Sequence, residues 1–255
     1  MANLEYHQYS YLSDNYGVLL HSKATDETIS IDAGDAPSLL QALNEKGWTL
    51  SHLLVTHHHA DHVAGLAEIK ATTGCKVTGP SLHSDIEGLD QKVVDGDTFT
   101  IANTLFQVLN TPGHTLDMLN YYLPEEKVIF TGDTLFTLGC GRVFEGNADM
   151  MWNSLHRLTQ LPADTLIYSS HEYTLANAAF AATIDPGNKL LQQRTEKFKE
   201  LRSNNQPTVP SLLSDELATN PFLRASDPAI RAGLQMQDKT DAEVFAEIRQ
   251  RKDRF

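Results

Sequence analysis

The sequence predicts an α/β protein: mixed β-sheets covered by helices up to about residue 172, then an all-helical segment. Three observations predict it. Short apolar runs alternate with longer helical patterns over most of the 255 residues, several runs lie close enough to be hairpins, and the strand signal stops at Tyr173.

The runs at 17–21, 28–31, 53–56, 76–78, 98–102, 106–110, 120–123, 128–131 and 166–169 read as strands. They are rich in Val, Ile, Leu, Phe and Thr and end at Gly, Pro, Asp or His. The spacing of 98–102 and 106–110 is that of a hairpin, which argues for mixed sheets over one doubly wound parallel sheet. Helices are predicted over 37–46, 62–72 and 149–160, the last with Met150, Met151, Leu155 and Leu158 at helical spacing. Beyond Tyr173 the segments 173–183, 188–204, 211–218, 228–233 and 241–251 read as helices. Asp185-Pro186-Gly187, Gln206-Pro207, Asn220-Pro221 and Asp227-Pro228 punctuate them. Two domains are expected, 1–172 and 173–255.

Apolar residues make up 41% of the chain, enough for a packed core. No stretch approaches the roughly 20 apolar residues of a membrane-spanning helix. The start, MANLEYHQYSYLSDNYGVLL, has no basic region leading into an apolar run. The two cysteines, Cys75 and Cys140, are far apart and form no C-x-x-C pair, which fits a reducing compartment. A soluble, cytoplasmic protein is expected, acting as a monomer and away from membranes. The formal charge of −13 argues against a nucleic-acid partner, since phosphate binding uses clustered cations. Yet Arg249, Arg251, Lys252 and Arg254 crowd into the last seven residues. Taken alone, that cluster is explained by cations gathering at a helix C-terminus.

The most informative stretch is Thr56-His57-His58-His59-Ala60-Asp61-His62, a polar cluster that directly follows a β-branched run. A rigid sheet positions functional groups in the loop leaving a strand. His57 and His59, two apart, can point the same way, while Asp61 and His62 open the next helix and can face a second point. Imidazole and carboxylate are the donors that zinc and similar ions take in the absence of thiolate. The same placement recurs three times. His114 follows the run 106–110, Asp133 follows 128–131, and His171 follows 166–169. The other six histidines lack it. Seven donors exceed the need of one tetrahedral ion but suit two when a carboxylate bridges, and Asp133 is the natural bridge. His57, His59 and His114 are then assigned to one ion, and Asp61, His62 and His171 to the other. Two such ions can share and activate a water, which makes hydrolysis by a metal-bridging hydroxide the expected chemistry, with Asp61 and Asp133 as the catalytic carboxylates. Zinc is the expected metal, and the same residue types admit iron or manganese. There is no Gly-x-Ser-x-Gly elbow for a serine nucleophile.

Thr56-His57-His58-His59-Ala60-Asp61-His62, then His114, Asp133 and His171, resembles the H-x-H-x-D-H…H…D…H pattern of the metallo-β-lactamase superfamily. The resemblance implies an αββα sandwich with the metals at one edge, followed here by a small all-helical domain. Three further stretches resemble the glyoxalase II (hydroxyacylglutathione hydrolase) family. They are Phe130-Thr131-Gly132-Asp133-Thr134-Leu135-Phe136 leading into Gly139-Cys140-Gly141-Arg142-Val143-Phe144-Glu145-Gly146, then His171-Glu172-Tyr173-Thr174, and finally Asn220-Pro221-Phe222-Leu223-Arg224 with the closing Arg249 to Phe255. With these the likeness covers nearly the whole chain. It implies hydrolysis of S-D-lactoylglutathione to glutathione and D-lactate, the second step of methylglyoxal detoxification. It also implies glutathione contacts at Arg142, Phe144, Tyr173, Arg249 and Lys252, which gives the basic tail a purpose. Asp32, in Ile31-Asp32-Ala33-Gly34, is expected to orient a ligand histidine.

The chain departs from the family pattern at three places. Phe144 stands where some members have tyrosine, Asp117-Met118 where a Gly-His pair is expected, and Ala64 where a glycine is usual. The alternative readings are another hydrolase of the same superfamily, such as a lactonase, and less favourably a nuclease. A lactonase needs no Arg249/Lys252 tail, and a nuclease is disfavoured by the charge.

Overall fold

The computed structural model describes residues 4–255; Met1, Ala2 and Asn3, on which the reading of the N-terminus partly rests, lie outside the described residues. The chain divides into two compact units. The first runs to Asn110 and resumes over Leu116–Gly132; the second comprises Thr111–Thr115 and Asp133–Phe255.

In the first unit β1 (Leu4–Tyr11), β2 (Asn15–Ser22), β3 (Glu27–Ile31), β4 (Leu50–Leu54), β5 (Lys76–Pro80) and β6 (Gln91–Val93) form one sheet in that order. The pairs from β1 to β3 are antiparallel and those from β3 to β6 are parallel, so the sheet is mixed, as expected. Helix α1 (Ala36–Lys46) begins where Asp35 accepts from Ser38 N at 2.9 Å, and Pro37 occupies its first turn. It ends at Gly47, whose φ of 69° closes the helix in the left-handed region.

The helix expected over 62–72 is two helices, α2 (Ala60–Val63) and α3 (Leu66–Thr73). They separate because Gly65 N donates to Ala33 O at 2.8 Å, outside the helical ladder. Leu39 and Leu43 of α1, with Leu66 and Ile69 of α3, pack against Leu53 and Val77 of the sheet. Each such side chain contributes about 1.5–3 kcal/mol by leaving water.

The second sheet of this unit is an antiparallel meander of β7 (Thr98–Ile101), β8 (Thr104–Asn110), β9 (Leu119–Leu123) and β10 (Val128–Gly132). On one of its faces Phe99 stacks on Phe106 and meets Tyr121 edge-on. The Tyr121 hydroxyl donates to Val55 O at 2.6 Å, and Leu119 N donates to Thr56 O at 2.9 Å. These bonds tie the meander to the segment leaving β4, which is the segment carrying the histidines.

In the second unit a short hairpin, β11 (Leu135–Phe136) and β12 (Gly139–Cys140), is followed by α4 (Ala148–Leu158), β13 (Leu166–Ser169), α5 (Thr174–Ile184) and α6 (Lys189–Ser203). Then come β14 (Ser211–Leu212), α7 (Leu213–Thr219), a 3-10 turn (Pro221–Leu223), α8 (Pro228–Leu234) and α9 (Asp241–Asp253). The helix expected from residue 211 therefore starts two residues later, and the strand signal does not stop altogether at Tyr173. Ser211 and Leu212 pair antiparallel with Ile167 and Leu166.

Leu138 packs with Ala178, Ala181, Leu191 and Phe198, which anchors the hairpin in the helical core. Its polar edge is held by Asn177 Nδ2, donating to Thr137 O at 3.1 Å, and by Asn220 Nδ2, donating to Gly139 O at 3.0 Å. Among the described residues no helix is long and apolar enough to cross a membrane.

Candidate metal centre

The loop after β4 gathers four of the predicted ligands in the first unit. Asp32, at the end of β3, organises them. Its backbone lies in the left-handed region, with φ 59°, and its N–H donates to Leu54 O at 2.9 Å. A non-glycine residue held there costs of order 1–3 kcal/mol, a strain typical of residues kept for their position. The carboxylate accepts from Thr56 N at 2.7 Å, the Thr56 hydroxyl at 2.9 Å and His62 Nδ1 at 2.8 Å.

These bonds set the tautomers. His62 gives its Nδ1 proton to Asp32, so Nε2 is left with its lone pair. The Thr56 hydroxyl, already donating to Asp32, accepts from His57 Nδ1 at 3.0 Å, so His57 also presents Nε2. Asp61 is fixed by Asn15 Nδ2, which donates to its Oδ2 at 2.9 Å, and by the Tyr11 hydroxyl, which donates to its carbonyl at 2.9 Å. Gly34 makes room for that carbonyl, since a Cβ there would stand 1.7 Å from Asp61 O.

The second unit holds the other three ligands. His114 Nδ1 donates to Arg142 O at 2.8 Å, leaving Nε2 to face Asp133 Oδ2 at 3.3 Å. His171 Nε2 faces the other oxygen, Asp133 Oδ1, also at 3.3 Å. A Cβ on Gly141 would lie 2.0 Å from the Asp133 backbone carbonyl oxygen, so a glycine is required beside that carbonyl.

The donor spacings themselves test the fit to a metal. Two donors at 2.0–2.1 Å from one tetrahedral zinc stand about 3.3 Å apart. His57 Nε2 and His59 Nδ1 are 3.2 Å apart, and His62 Nε2 and Asp61 Oδ2 are 3.4 Å apart. With the two Asp133 distances, all four pairs have the spacing of neighbouring ligands on one ion. The residues fit a divalent metal by type and by spacing, and His57, His62 and His114 fit it also by the nitrogen each presents.

Around the second set lie the residues expected to contact substrate. Tyr173 stacks on His171 with centroids 4.7 Å apart and an interplanar angle of 3°, and Phe144 lies against His114 at 5.2 Å. Phe144 is 62% exposed. Arg249 is only 6% exposed. Its Nη1 donates to Cys140 O at 2.9 Å, its Nε and Nη2 donate to Asp253 Oδ1 at 3.1 and 2.9 Å, and the guanidinium lies over Phe222. Lys252 Nζ donates to Ala176 O at 3.0 Å and lies over Phe180 and Phe255. Burial lowers the Lys252 pKa, and the neighbouring charges of Arg249 and Arg142 lower it further. That mutual repulsion marks a small electropositive cluster in an acidic protein. Burial pushes the Cys140 thiol up to about 11, so it is no nucleophile at neutral pH.

The sequence reading missed Thr56, Asn15 and Asp253. Asp253 carried a usable signal, because it stands four residues after Arg249, just past the end of the helix predicted over 241–251. Thr56 and Asn15 carried none, since their partners are set by the fold.

Mixed sheets with histidines and aspartates at strand ends define a class, and a model described as "Metallo-beta-lactamase superfamily" matches residues 18–171. One described as "Hydroxyacylglutathione hydrolase C-terminus" matches residues 172–255. The hydroxyacylglutathione hydrolase of Rhizobium meliloti is 52% identical over 256 residues, covering 100% of both chains. That of Nitrobacter hamburgensis is 48% identical, covering 95% of this chain and 96% of its own. Among solved structures, ETHE1 from Myxococcus xanthus matches with a TM-score of 0.70 and 27% identity, covering 96% of this chain and 90% of that one. The chain belongs to the hydroxyacylglutathione hydrolase family. It has the metallo-β-lactamase fold with a helical C-terminal region, and that fold together with the histidine and aspartate clusters supports a binuclear site for divalent metal ions.

Proposed function

We propose that this chain hydrolyses S-D-lactoylglutathione, a 2-hydroxyacyl thioester, to glutathione and D-lactate. The observation that carries the reading is Asp133, with one oxygen directed at His114 and the other at His171 in the spacing of metal ligands. The names of relatives about half identical along their full length support the substrate.

In this reading His57, His59 and His114 would hold one ion and Asp61, His62 and His171 the other, with Asp133 shared between them. Two divalent ions so held would supply a Lewis acid for the thioester carbonyl and lower the pKa of a water toward neutrality. Asp61 and Asp133 would serve as the catalytic carboxylates. Asp32 keeps His62 in the tautomer that offers Nε2. Arg142, Arg249 and Lys252 bind the carboxylates of glutathione by charge-assisted hydrogen bonds, while Tyr173 and Phe144 flank its peptide. A thiol with a pKa of about 8.5 leaves as thiolate, so no residue need protonate it. Residues 1–172 then form the metal-binding catalytic domain and 173–255 the substrate-binding one.

Zinc is the proposed metal, in keeping with donor spacings near those of a tetrahedral zinc site. The proposed setting is a cytoplasmic monomer acting on a small molecule, with neither nucleic acid nor membrane as partner. The net charge of −13 and two free cysteines accord with it.

Metal analysis and a thioester assay on one purified sample test the proposal. Two ions per chain with hydrolysis of S-D-lactoylglutathione are expected. Metal-loaded protein that cleaves lactones and leaves the thioester intact would replace this reading with a lactonase.

A further inference from the structure

Asp117 stands where the family pattern leads one to expect glycine, and it is almost fully buried, at 1% exposure. A buried carboxylate is costly unless it is hydrogen-bonded or paired. Asp117 Oδ1 accepts from His58 Nδ1 at 3.0 Å. Its Oδ2 is also buried and makes no hydrogen bond, so His58 is the partner that stabilises this carboxylate.

His58 lies between two proposed ligands. Its ring meets that of His59 edge-on, with centroids 5.1 Å apart, and His59 Nδ1 is 3.2 Å from His57 Nε2. The backbone beside Asp117 is fixed to the same loop, because Leu119 N donates to Thr56 O at 2.9 Å. One side of the loop is therefore held by Asp32 through Thr56 and His62, and the other by Asp117 through His58.

We propose that Asp117 is a positioning residue for the metal-binding loop and acts through His58. Its side chain is not among the proposed metal ligands. It restricts the His58 ring and, through the packed edge, the His59 ring, so that His57 and His59 are preset at ligand spacing before an ion arrives. The inference rests on the metal assignment made above for His57 and His59.

Competition between the full-length protein and a zinc chelator tests it. The proteins compared are wild type, Asp117→Ala, His58→Ala, the double variant, and Asp117→Asn, which keeps an acceptor for His58 Nδ1. Loss of a residue that orients a ligand weakens metal affinity about 10- to 100-fold. That loss is expected at one of the two ions in each alanine variant. The double variant should be no weaker than the weaker single, and Asp117→Asn should recover most of the affinity. Should either single alanine variant fail to fold, the double variant decides the matter, since it removes the 34% exposed imidazole together with the buried carboxylate and leaves neither without its partner. Wild-type affinity in His58→Ala, or in a folded Asp117→Ala, overturns the inference, as do losses that simply add in the double variant. Wild-type protein that takes up no zinc instead overturns the metal assignment, and the inference falls with it.

Discussion

Asp133 sets one carboxylate oxygen against each of two histidines, Oδ2 at 3.3 Å from His114 Nε2 and Oδ1 at 3.3 Å from His171 Nε2. In the reading proposed above, a residue so placed would belong to both ions at once. Asp133→Ala should therefore lower metal content at both sites and abolish thioester hydrolysis, whereas removing a ligand of one ion should spare the other. Elemental analysis finding two ions per chain in Asp133→Ala would defeat the bridging role.

Much of this arrangement was legible in the sequence because the donors follow a simple rule. His57, His114, Asp133 and His171 each come within a few residues after an apolar run, and those runs are strands in the structure. What was hidden depended on partners distant in sequence. The strand β1 reads LEYHQYSY and has no fully buried face, so no apolar alternation announces it; it exists through its pairing with β2. The two-residue strand β14 is defined by β13 alone. Asp32 was expected to orient a histidine, but its hold on Thr56, and through Thr56 on His57, required the left-handed turn that only the fold reveals.

Glu216 is the clearest case of a residue that matters for stability and gave no signal. It is fully buried, and its Oε1 accepts from Arg194 Nη2 at 2.7 Å. Its Oε2 accepts from Leu138 N at 2.8 Å and from Asn220 Nδ2 at 3.1 Å. Breaking one side of a buried pair costs about 3–5 kcal/mol. Glu216→Ala should lose about that much, and Glu216→Gln less, because the amide oxygen still accepts. For a protein of this size each kcal/mol moves the melting temperature about 2–4 °C. A change below about 1 kcal/mol in chemical denaturation would mean that water takes over the Glu216 partners.

Lys252 should give substrate binding a pH dependence of definite sign. Burial first, then Arg249 and Arg142, lower its pKa below the ordinary lysine value of 10.5. The ammonium form binds a carboxylate and the neutral amine does not. KM for S-D-lactoylglutathione should therefore rise with pH on the alkaline side as the proton leaves, with kcat little changed. Lys252→Arg, which stays charged, should flatten that limb. One charge-assisted hydrogen bond contributes about 1.5–3 kcal/mol, so Lys252→Ala should lower kcat/KM about 10- to 150-fold, mostly through KM. A double Arg249→Ala/Lys252→Ala variant with wild-type KM would remove the support for glutathione as the bound group.

Asp253 competes for the same cations. Its Oδ1 accepts from Arg249 Nε and Nη2 and lies 4.0 Å from Arg142 Nε, so it fills the guanidinium fork that a substrate carboxylate would use. Its side chain is 42% exposed, while that of Arg249 is 7% exposed, so the pair is open to water on the Asp253 side only. The carboxylate can therefore swing into solvent when a substrate carboxylate takes its place on the guanidinium. Asp253→Asn removes the competing charge, so KM should fall by up to about fivefold, the equivalent of about 1 kcal/mol. Neither kcat nor metal content should change. The salt dependence of KM should steepen, because the three cations then act with less internal neutralisation. A KM that rises in Asp253→Asn would show instead that Asp253 holds Arg249 in the orientation substrate requires, and the competition would have to be abandoned.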